Sequence, residues 1–509
     1  MNNILKNSIS SLINQFLYIV SIFFVRCVFV RTLGIEYQGL DSVMTSIVTI
    51  LSLADLGIGT ASVFALYKPL NELQYDKIRS LIALYRKIYA IIILCLLIVG
   101  MFTGLFVPLL IKDSVFSEWF IRKIFALFLL QTASTYIFAE YQSLFLADEK
   151  NYINTIHKSI VNVASAILQI LIIVLLGNYY LKIIIIIFSN LITNYSLRCK
   201  ALSEYPYLNG SYKNRLTKEE KSNLVADFKN LSISRIADVL IFQTDNLFIA
   251  KLIGETVAGI YSNYYLIVGG INSVINYVVM AVQPTFARKL LKNTLNRETQ
   301  NEIFNNFSLV ALIITSICIC GYYVMFNPFV SAWVGHSNLL SKSTVVLIII
   351  TQLILLLDNP FWTMMYLNGA FKQIKNVGFF ASVINIITSF FLTKIFGING
   401  VVCGTIICYT ISITLHIIYV FTHIIADSKV IVRYIKKLLL FATSTIACIY
   451  ICNNIFNIIT SINIHTILKI FLGVFVCISI TLTVNILLFY KDIKELIFYL
   501  RKEKYESKL

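Results

Sequence analysis

The stretch ISSLINQFLYIVSIFFVRCVFV, residues Ile9–Val30, decides the fold class of this chain. A helix needs roughly 20 apolar residues to cross a hydrocarbon core of about 30 Å, and this stretch supplies them with a single charge, Arg26. It is too long for a removable signal peptide and lacks a small-residue cleavage pattern. We therefore predict that it is the first membrane span.

Comparable stretches recur almost to the end of the chain. The sequence is 58% hydrophobic and 13% charged with a mean hydropathy of +0.81, far from the balance of a soluble domain. Runs such as Ile91–Leu97 and Ile183–Ile187 lack the alternation of a membrane β-barrel. Hydropathy predicts an all-α polytopic membrane protein with about fourteen transmembrane helices, near 9–31, 41–66, 81–108, 118–145, 158–177, 180–198, 232–251, 257–284, 304–327, 341–367, 375–395, 399–424, 434–457 and 466–490.

The net charge of +17 is explained by topology rather than by nucleic-acid binding. If the N-terminus is cytoplasmic, 31 of the 42 lysines and arginines fall on the cytoplasmic side and nine on the other, Lys182 among the nine. Basic residues concentrate on the cytoplasmic side of membrane proteins. We therefore expect a multi-pass protein of a bacterial cytoplasmic (inner) membrane, with both termini in the cytoplasm.

An internal repeat divides the spans into two sets of six. Residues 220 positions apart match at Arg31/Lys251, Gly34/Gly254, Gly39/Gly259, Lys68/Arg288, Pro108/Pro328 and Gly177/Gly397. Since six spans separate the partners, both copies have the same orientation. The predicted domains are an N-terminal six-helix bundle (1–198), a polar, basic cytoplasmic linker (199–231), a C-terminal six-helix bundle (232–425), and helices 13 and 14 with a basic tail (426–509).

No enzymatic motif is present in the sequence. It contains no Walker loop, HExxH or GxSxG, and its five histidines are scattered. The ten cysteines lie mostly inside apolar stretches, without a CxxC pair, and are typical of small buried hydrophobes rather than metal ligands. We expect a membrane transporter rather than an enzyme, without a metal or a bound cofactor.

Ionisable residues inside the predicted spans are the candidate functional residues. Each costs on the order of 2.5 to 3.5 kcal/mol near mid-bilayer, so each should face a bundle interior or a wet cavity. They are Arg26, Asp55, Glu140, Arg235, Asp238, Asp245 and Asp358. Helical spacing puts Arg235, Asp238 and Asp245 on one face of span 7, and Asp41 and Asp55 on nearly the same side of span 2.

Two interpretations of these charges stay open. They can pair with one another between helices or lie at span ends, as Arg31, Glu140 and Arg235 could, or they can line a cavity. In the second case arginines of spans 1 and 7 would meet between the two halves, where guanidinium groups suit a phosphate or pyrophosphate. The acids Asp55, Glu140, Asp238, Asp245 and Asp358 could instead bind H⁺ or Na⁺ and couple transport to an ion gradient.

Two stretches resemble a known family. VRTLGIEYQGLDSVMTSIVTILSLADLGIGTASVFALYKPL (Val30–Leu70) and the weaker echo FQTDNLFIAKLIGETVAGIYSNYYLI (Phe242–Ile267) are similar to the polysaccharide-transporter branch of the multidrug/oligosaccharidyl-lipid/polysaccharide (MOP) exporters, with Wzx-type O-antigen or capsular repeat-unit flippases as the best fit. The most specific motif is Leu53–Gly59, LADLGIG.

The resemblance implies a V-shaped, MATE-like pair of six-helix bundles plus two C-terminal helices. It implies alternating-access transport of undecaprenyl-pyrophosphate-linked oligosaccharide for O-antigen, capsule or another surface polysaccharide. Arg26 and Arg31 match the basic positions of the family's first helix, and Arg235 the start of the seventh. The partners it implies are lipid-linked oligosaccharide, membrane lipids, a polysaccharide polymerase and glycosyltransferases, with no nucleic acid.

Two alternatives to the flippase are kept. An ion-coupled multidrug or small-molecule exporter of the same superfamily would favour an acidic, aromatic cavity, against which Arg26 and Arg235 argue. A polytopic glycosyltransferase or ligase would carry a large outward loop with paired acids or histidines, and the sequence predicts only short outward loops.

Overall fold

The computed structural model describes residues 3–52, 58–209, 217, 239, 243–292, 296–425 and 427–496, with side chains undescribed at 4, 5, 60, 277, 278 and 280–292. The regular elements in this part of the chain are helical, as predicted. They are α1 (Asn3–Leu33), α2 (Ile35–Leu51), α3 (Ile58–Asn71), α4 (Tyr75–Phe106), α5 (Glu118–Tyr136), α6 (Glu140–Ala147), α7 (Asn151–Leu176), α8 (Tyr179–Glu204), α9 (243–252), α10 (Glu255–Lys292), α11 (Arg297–Val334), α12 (Lys342–Leu367), α13 (Phe371–Phe396), α14 (Ile398–Tyr419), α15 (Ser428–Ser461) and α16 (Thr466–Leu488).

Eleven stretches of the described chain are long and apolar enough to cross a membrane. They correspond to eleven of the fourteen predicted spans. The other three, 41–66, 232–251 and 257–284, include backbone or side chains outside the described residues. The class of an all-helical, multi-pass membrane protein is thereby confirmed.

One predicted span is not a continuous helix. The span 118–145 breaks at Phe138, whose φ of 63° ends one helix before the next begins. Asn194 of α8 stabilises the break, since its amide donates to the Thr135 carbonyl at 3.0 Å and accepts from Gln142 at 2.6 Å. Within the span 41–66, α2 ends at Leu51 and α3 is described from Ile58, and residues 53–57, which include Asp55, lie outside the described part.

Two glycine pairs of the repeat share a positive φ. Gly34 and Gly254 have φ of 106° and 139° just before α2 and α10, and Gly177 and Gly397 have φ of 58° and 57° at the turns after α7 and α13. Residues with a Cβ rarely adopt such angles. Glycines with positive φ therefore lie at equivalent helix boundaries in both copies, although the turns differ in ψ, which is 25° at Gly177 and −136° at Gly397.

The chain divides into two compact units, Met1–Ser262 and Asn263–Leu509. In the first, α1 packs along α7 and α5 along α8. In the second, α11 packs against α12, α15 and α16. The predicted bundle boundaries at 198 and 232 follow from the sequence repeat rather than from these compact units, and they stay a prediction.

In the second unit, ion pairs connect the segment that follows α16 with α15. Asp492 accepts from Arg433 at 2.7 Å and from Lys437 at 2.9 Å. Burial by itself would raise the pKa of the Asp492 carboxyl, but these two cations lower it below its ordinary value. The carboxylate is therefore held ionised at the end of the helix pair.

Candidate functional site

The structure places five of the eight predicted site residues. Arg26 lies half-buried in α1, and Arg31 is exposed in the last turn of the same helix. Asp245 in α9 and Glu140 at the start of α6 are buried, and Asp358 lies in α12. The remaining three, Asp55, Arg235 and Asp238, lie outside the described residues.

Arg26 reaches across from α1 to α10. Its Nη1 donates to the backbone carbonyl of Ser262 at 3.1 Å and to the Ser262 hydroxyl at 3.4 Å. The same hydroxyl accepts from Gln38 of α2 at 3.5 Å and donates to the Gly259 carbonyl at 2.8 Å. A guanidinium inside a membrane span is thus held by the second copy of the repeat, within the first compact unit.

That approach is possible because α2 and α10 cross at two glycines. A Cβ at Gly259 would lie 2.6 Å from the Ile35 carbonyl oxygen and 2.8 Å from the Gly39 nitrogen, and one at Gly39 would collide with the Glu255 backbone. Gly39 and Gly259 are a repeat pair of the sequence. The repeat therefore places equivalent glycines against each other, and small residues let membrane helices approach closely.

A buried ion pair that the sequence did not reveal lies beside α1. Lys182 of α8 meets Asp41 of α2 with 2.5 Å between Nζ and Oδ1, and Tyr179 donates to the same oxygen at 3.1 Å. The ammonium also lies 4.1 Å from the centroid of the Phe29 ring. The charge count assigns Lys182 to the outer side, but its long stem brings the ammonium into the bundle.

Asp245 lies in the polar interior of the same unit. Tyr261 of α10 donates to its Oδ2 at 3.1 Å, and the neighbouring Asn246 donates to Ser46 of α2 at 3.3 Å. Asp245 is 2% exposed. Since it is enclosed by α9 and α10, it agrees with the prediction that this acid faces a bundle interior.

Two other predicted acids have basic partners. Glu140, 1% exposed, accepts from Arg86 at 2.8 Å, and Arg86 also donates to Tyr141 at 2.7 Å. Asp358 lies 2.9 Å from Nδ1 of His416 in α14. The pairing interpretation, left open by the sequence, accounts for where both side chains lie, and a transport role for either stays a prediction.

Oxygen atoms of uncharged side chains lie close together between α13 and α14. Asn385 donates to Thr405 at 3.1 Å and to Ser389 at 3.3 Å, and Ser389 donates to the Val401 carbonyl at 3.4 Å. All three polar side chains are buried, and the Asn385 Oδ1 accepts no hydrogen bond within the described residues. Neutral amide, hydroxyl and carbonyl oxygens of this kind can hold an alkali cation.

Solved structures share this helical arrangement. The lipid II flippase MurJ in an inward-closed conformation superposes with a TM-score of 0.71 at 14% identity, over 96% of this chain and 99% of that one. An inward-facing multidrug resistance MATE family transporter of the MOP superfamily gives 0.67 at 13%, over 84% and 99%. The Vibrio cholerae MATE transporter VcmN gives 0.57 at 13%, over 84% and 98%. The fold is that of MOP-superfamily transporters.

A comparison of the sequence with protein families identifies the family within this fold. A family model described as polysaccharide biosynthesis protein matches residues 4–290, and the chain belongs to this family. A search of curated proteins finds no match. The resemblance to polysaccharide-transporter-type MOP exporters is thereby confirmed at the level of family and fold. The chain is a multi-pass membrane protein.

Proposed function

We propose that this protein is a flippase that moves undecaprenyl-pyrophosphate-linked oligosaccharide repeat units across the bacterial cytoplasmic membrane. The transported units would serve O-antigen, capsule or exopolysaccharide synthesis, together with glycosyltransferases and a polymerase. The family match over residues 4–290 supports a role in polysaccharide biosynthesis, and the fold shared with a lipid II flippase supports a lipid-linked cargo.

The observation that carries the proposal is the position of Arg26. A permanently charged guanidinium inside an apolar span is costly unless it meets an anion or a strong acceptor. Its Nη1 bonds to a carbonyl and a hydroxyl of Ser262, both neutral groups that a pyrophosphate oxygen can replace. Arg26 would bind the cargo phosphate during transport, Arg31 at the end of α1 would receive it, and Arg235 would act with them.

Ion coupling is part of the same proposal. Alternating access needs an energy source to be directional, and an H⁺ or Na⁺ gradient would supply it through Asp55, Glu140, Asp238, Asp245 or Asp358. Among the described acids of this set, Asp245 and Glu140 are the enclosed ones, at 2% and 1% exposure. The oxygens around Asn385 offer a second place for Na⁺.

The test is replacement of Arg26 in the native host. We expect Arg26→Ala to abolish surface polysaccharide while lipid-linked oligosaccharide accumulates in the membrane, because the anionic head loses its bidentate donor. Arg26→Lys keeps the charge without the planar fork, so we expect partial activity. Surface polymer and lipid-linked precursor would be quantified by immunoblotting and mass spectrometry.

The matched control is Arg122→Ala, which removes an arginine paired with Glu118 on the exposed side of α5. It should support normal surface polymer at an equal membrane level of the protein. Normal polymer in the Arg26→Ala strain, at wild-type protein level, would refute the role of this arginine. Loss of drug export without loss of polymer in a deletion strain would instead favour the multidrug alternative.

A further inference from the structure

Three cysteines from three different helices meet in the second compact unit. They are Cys320 of α11, Cys452 of α15 and Cys477 of α16, and their Sγ atoms all lie within 4.8 Å of one another. Each is at most 2% exposed. Sequence spacing predicted isolated apolar cysteines, because no two of these three are close enough along the chain to form a recognisable ligand motif.

The surroundings of this thiol cluster are apolar and rich in sulfur. Cys448 and Met325 belong to the same buried group. The Met325 Sδ lies 2.8 Å from the point that a Cβ at Gly473 would occupy, and Gly473 is one helical turn before Cys477. The missing side chain at Gly473 therefore makes room for a thioether next to the thiols.

The number and chemical type of the sulfur ligands indicate which metal ion the cluster would bind. Thiols and thioethers are soft ligands that favour Cu(I) among biological metals. Structural Zn²⁺ takes four ligands, and three thiols fall short of that number. With a metal–sulfur bond of about 2.3 Å, three trigonal sulfurs lie about 4.0 Å apart. The observed limit of 4.8 Å is within a small side-chain adjustment of that spacing.

The charge of the complex limits how many of the cysteines coordinate at once. The cluster lies midway along α16, an apolar span, where an ionic complex would be expensive. A cysteine binds a metal as its thiolate, so each coordinating cysteine breaks its S–H bond and releases one proton as the Cu–S bond forms, and no electron is transferred. Cu⁺ with two thiolates carries one negative charge, and the neutral thioether of Met325 adds none.

We propose that Cys320, Cys452 and Cys477 form a binding site for one Cu(I) ion, with Met325 as an adjacent soft donor. The ion would join α11, α15 and α16 at mid-membrane. This site is independent of the proposed transport function, since it involves neither Arg26 nor the acids of the spans.

The experiment uses the full-length protein in detergent, under anaerobic conditions, with Cu(I) presented as its bicinchoninate complex. We expect the wild type to withdraw one Cu(I) per chain, seen as loss of the complex's absorbance, and to release one proton for each coordinating cysteine. X-ray absorption should show sulfur scatterers at about 2.3 Å. We expect Cys452→Ala to abolish the withdrawal, and Zn²⁺ to give no corresponding binding.

The matched control is the double variant Cys95→Ala/Cys199→Ala, whose two thiols are exposed. It should still take one Cu(I). Helical circular dichroism and a single elution peak show that each variant is folded. Folded wild type that takes no Cu(I), or Cys452→Ala that takes as much as wild type, would mean that the three cysteines are packing residues only.

Discussion

At the residue scale, the Asp41–Lys182 pair is the clearest case of charge held inside the first unit. Removing one partner of a buried pair leaves an uncompensated charge, which costs about 3–5 kcal/mol. We expect Lys182→Met to destabilise the protein by an amount of that order, and Asp41→Asn/Lys182→Met to recover a large part of it. Thermal unfolding in detergent, followed by tryptophan fluorescence, would measure the coupling as a double-mutant cycle.

The exposed pair formed by Arg122 and Glu118 is the control for that cycle. Both side chains reach solvent or headgroups, and exposed pairs contribute about 1 kcal/mol or less. Its double-mutant cycle should give a coupling near zero. If the Asp41–Lys182 cycle gave an equally small coupling, the two charges would not depend on each other in the folded protein.

Single residues were predictable from the sequence where the signal is local. Arg26 and Asp245 stand out because any charge in an apolar span needs an explanation. Their partners were not predictable, since Ser262 and Tyr261 are ordinary side chains whose role depends on how the helices pack. The partner of Lys182 was not predictable either. The sequence places this lysine at the start of a span, but in the fold its ammonium lies inside the bundle.

At the element scale, the crossing of α2 and α10 depends on the absence of two side chains. We expect Gly39→Ala to lower the unfolding temperature and the membrane yield, because its Cβ would collide with the Glu255 backbone and force the helices apart. Overpacking of this kind costs about 1–3 kcal/mol, and backbone gives way less readily than side chains. Thermal unfolding of the purified variant measures the effect.

Gly269→Ala on α10 is the matched control, because among the described residues no atom beyond the adjoining backbone of α10 itself lies within 4 Å of the Cβ it would add. Alanine is the better helix former by up to about 1 kcal/mol, so this variant should be as stable as wild type or more so. A Gly39→Ala variant that is as stable as Gly269→Ala would show that the close crossing is not needed.

Most element positions follow from hydropathy, and the exceptions have local causes. Predicted and observed spans agree to within a few residues for α12, α13 and α16 because lipid leaves a helix as the way to satisfy the backbone. The break at Phe138 was missed because apolar residues continue through it. Asn194 of α8, distant in the chain, donates to the Thr135 carbonyl before the break and accepts from Gln142 just after it.

At the scale of the whole molecule, the duplication explains more than the helix count. Gly34 with Gly254 and Gly177 with Gly397 place positive-φ glycines at equivalent helix boundaries, and Gly39 meets Gly259 directly. A serine follows each of the last two glycines at the same spacing, and both Ser42 and Ser262 donate to the glycine carbonyl at 2.8 Å. The residue that holds Arg26 is thus the repeat equivalent of a residue on α2.

A parallel duplication of six spans requires an even number of crossings in each copy, and the added α15 and α16 keep the total even. With the basic residues concentrated on one side, both termini should lie in the cytoplasm. We expect green fluorescent protein fused to either end of the full chain to fluoresce, and alkaline phosphatase at the C-terminus to be inactive. Alkaline phosphatase fused after Ser114, between α4 and α5, should be active and is the positive control.

An active C-terminal phosphatase, together with a C-terminal green fluorescent protein that does not fluoresce, would imply an odd number of spans. One of the three spans that include undescribed residues would then not cross the membrane, and the two copies could not have the same orientation.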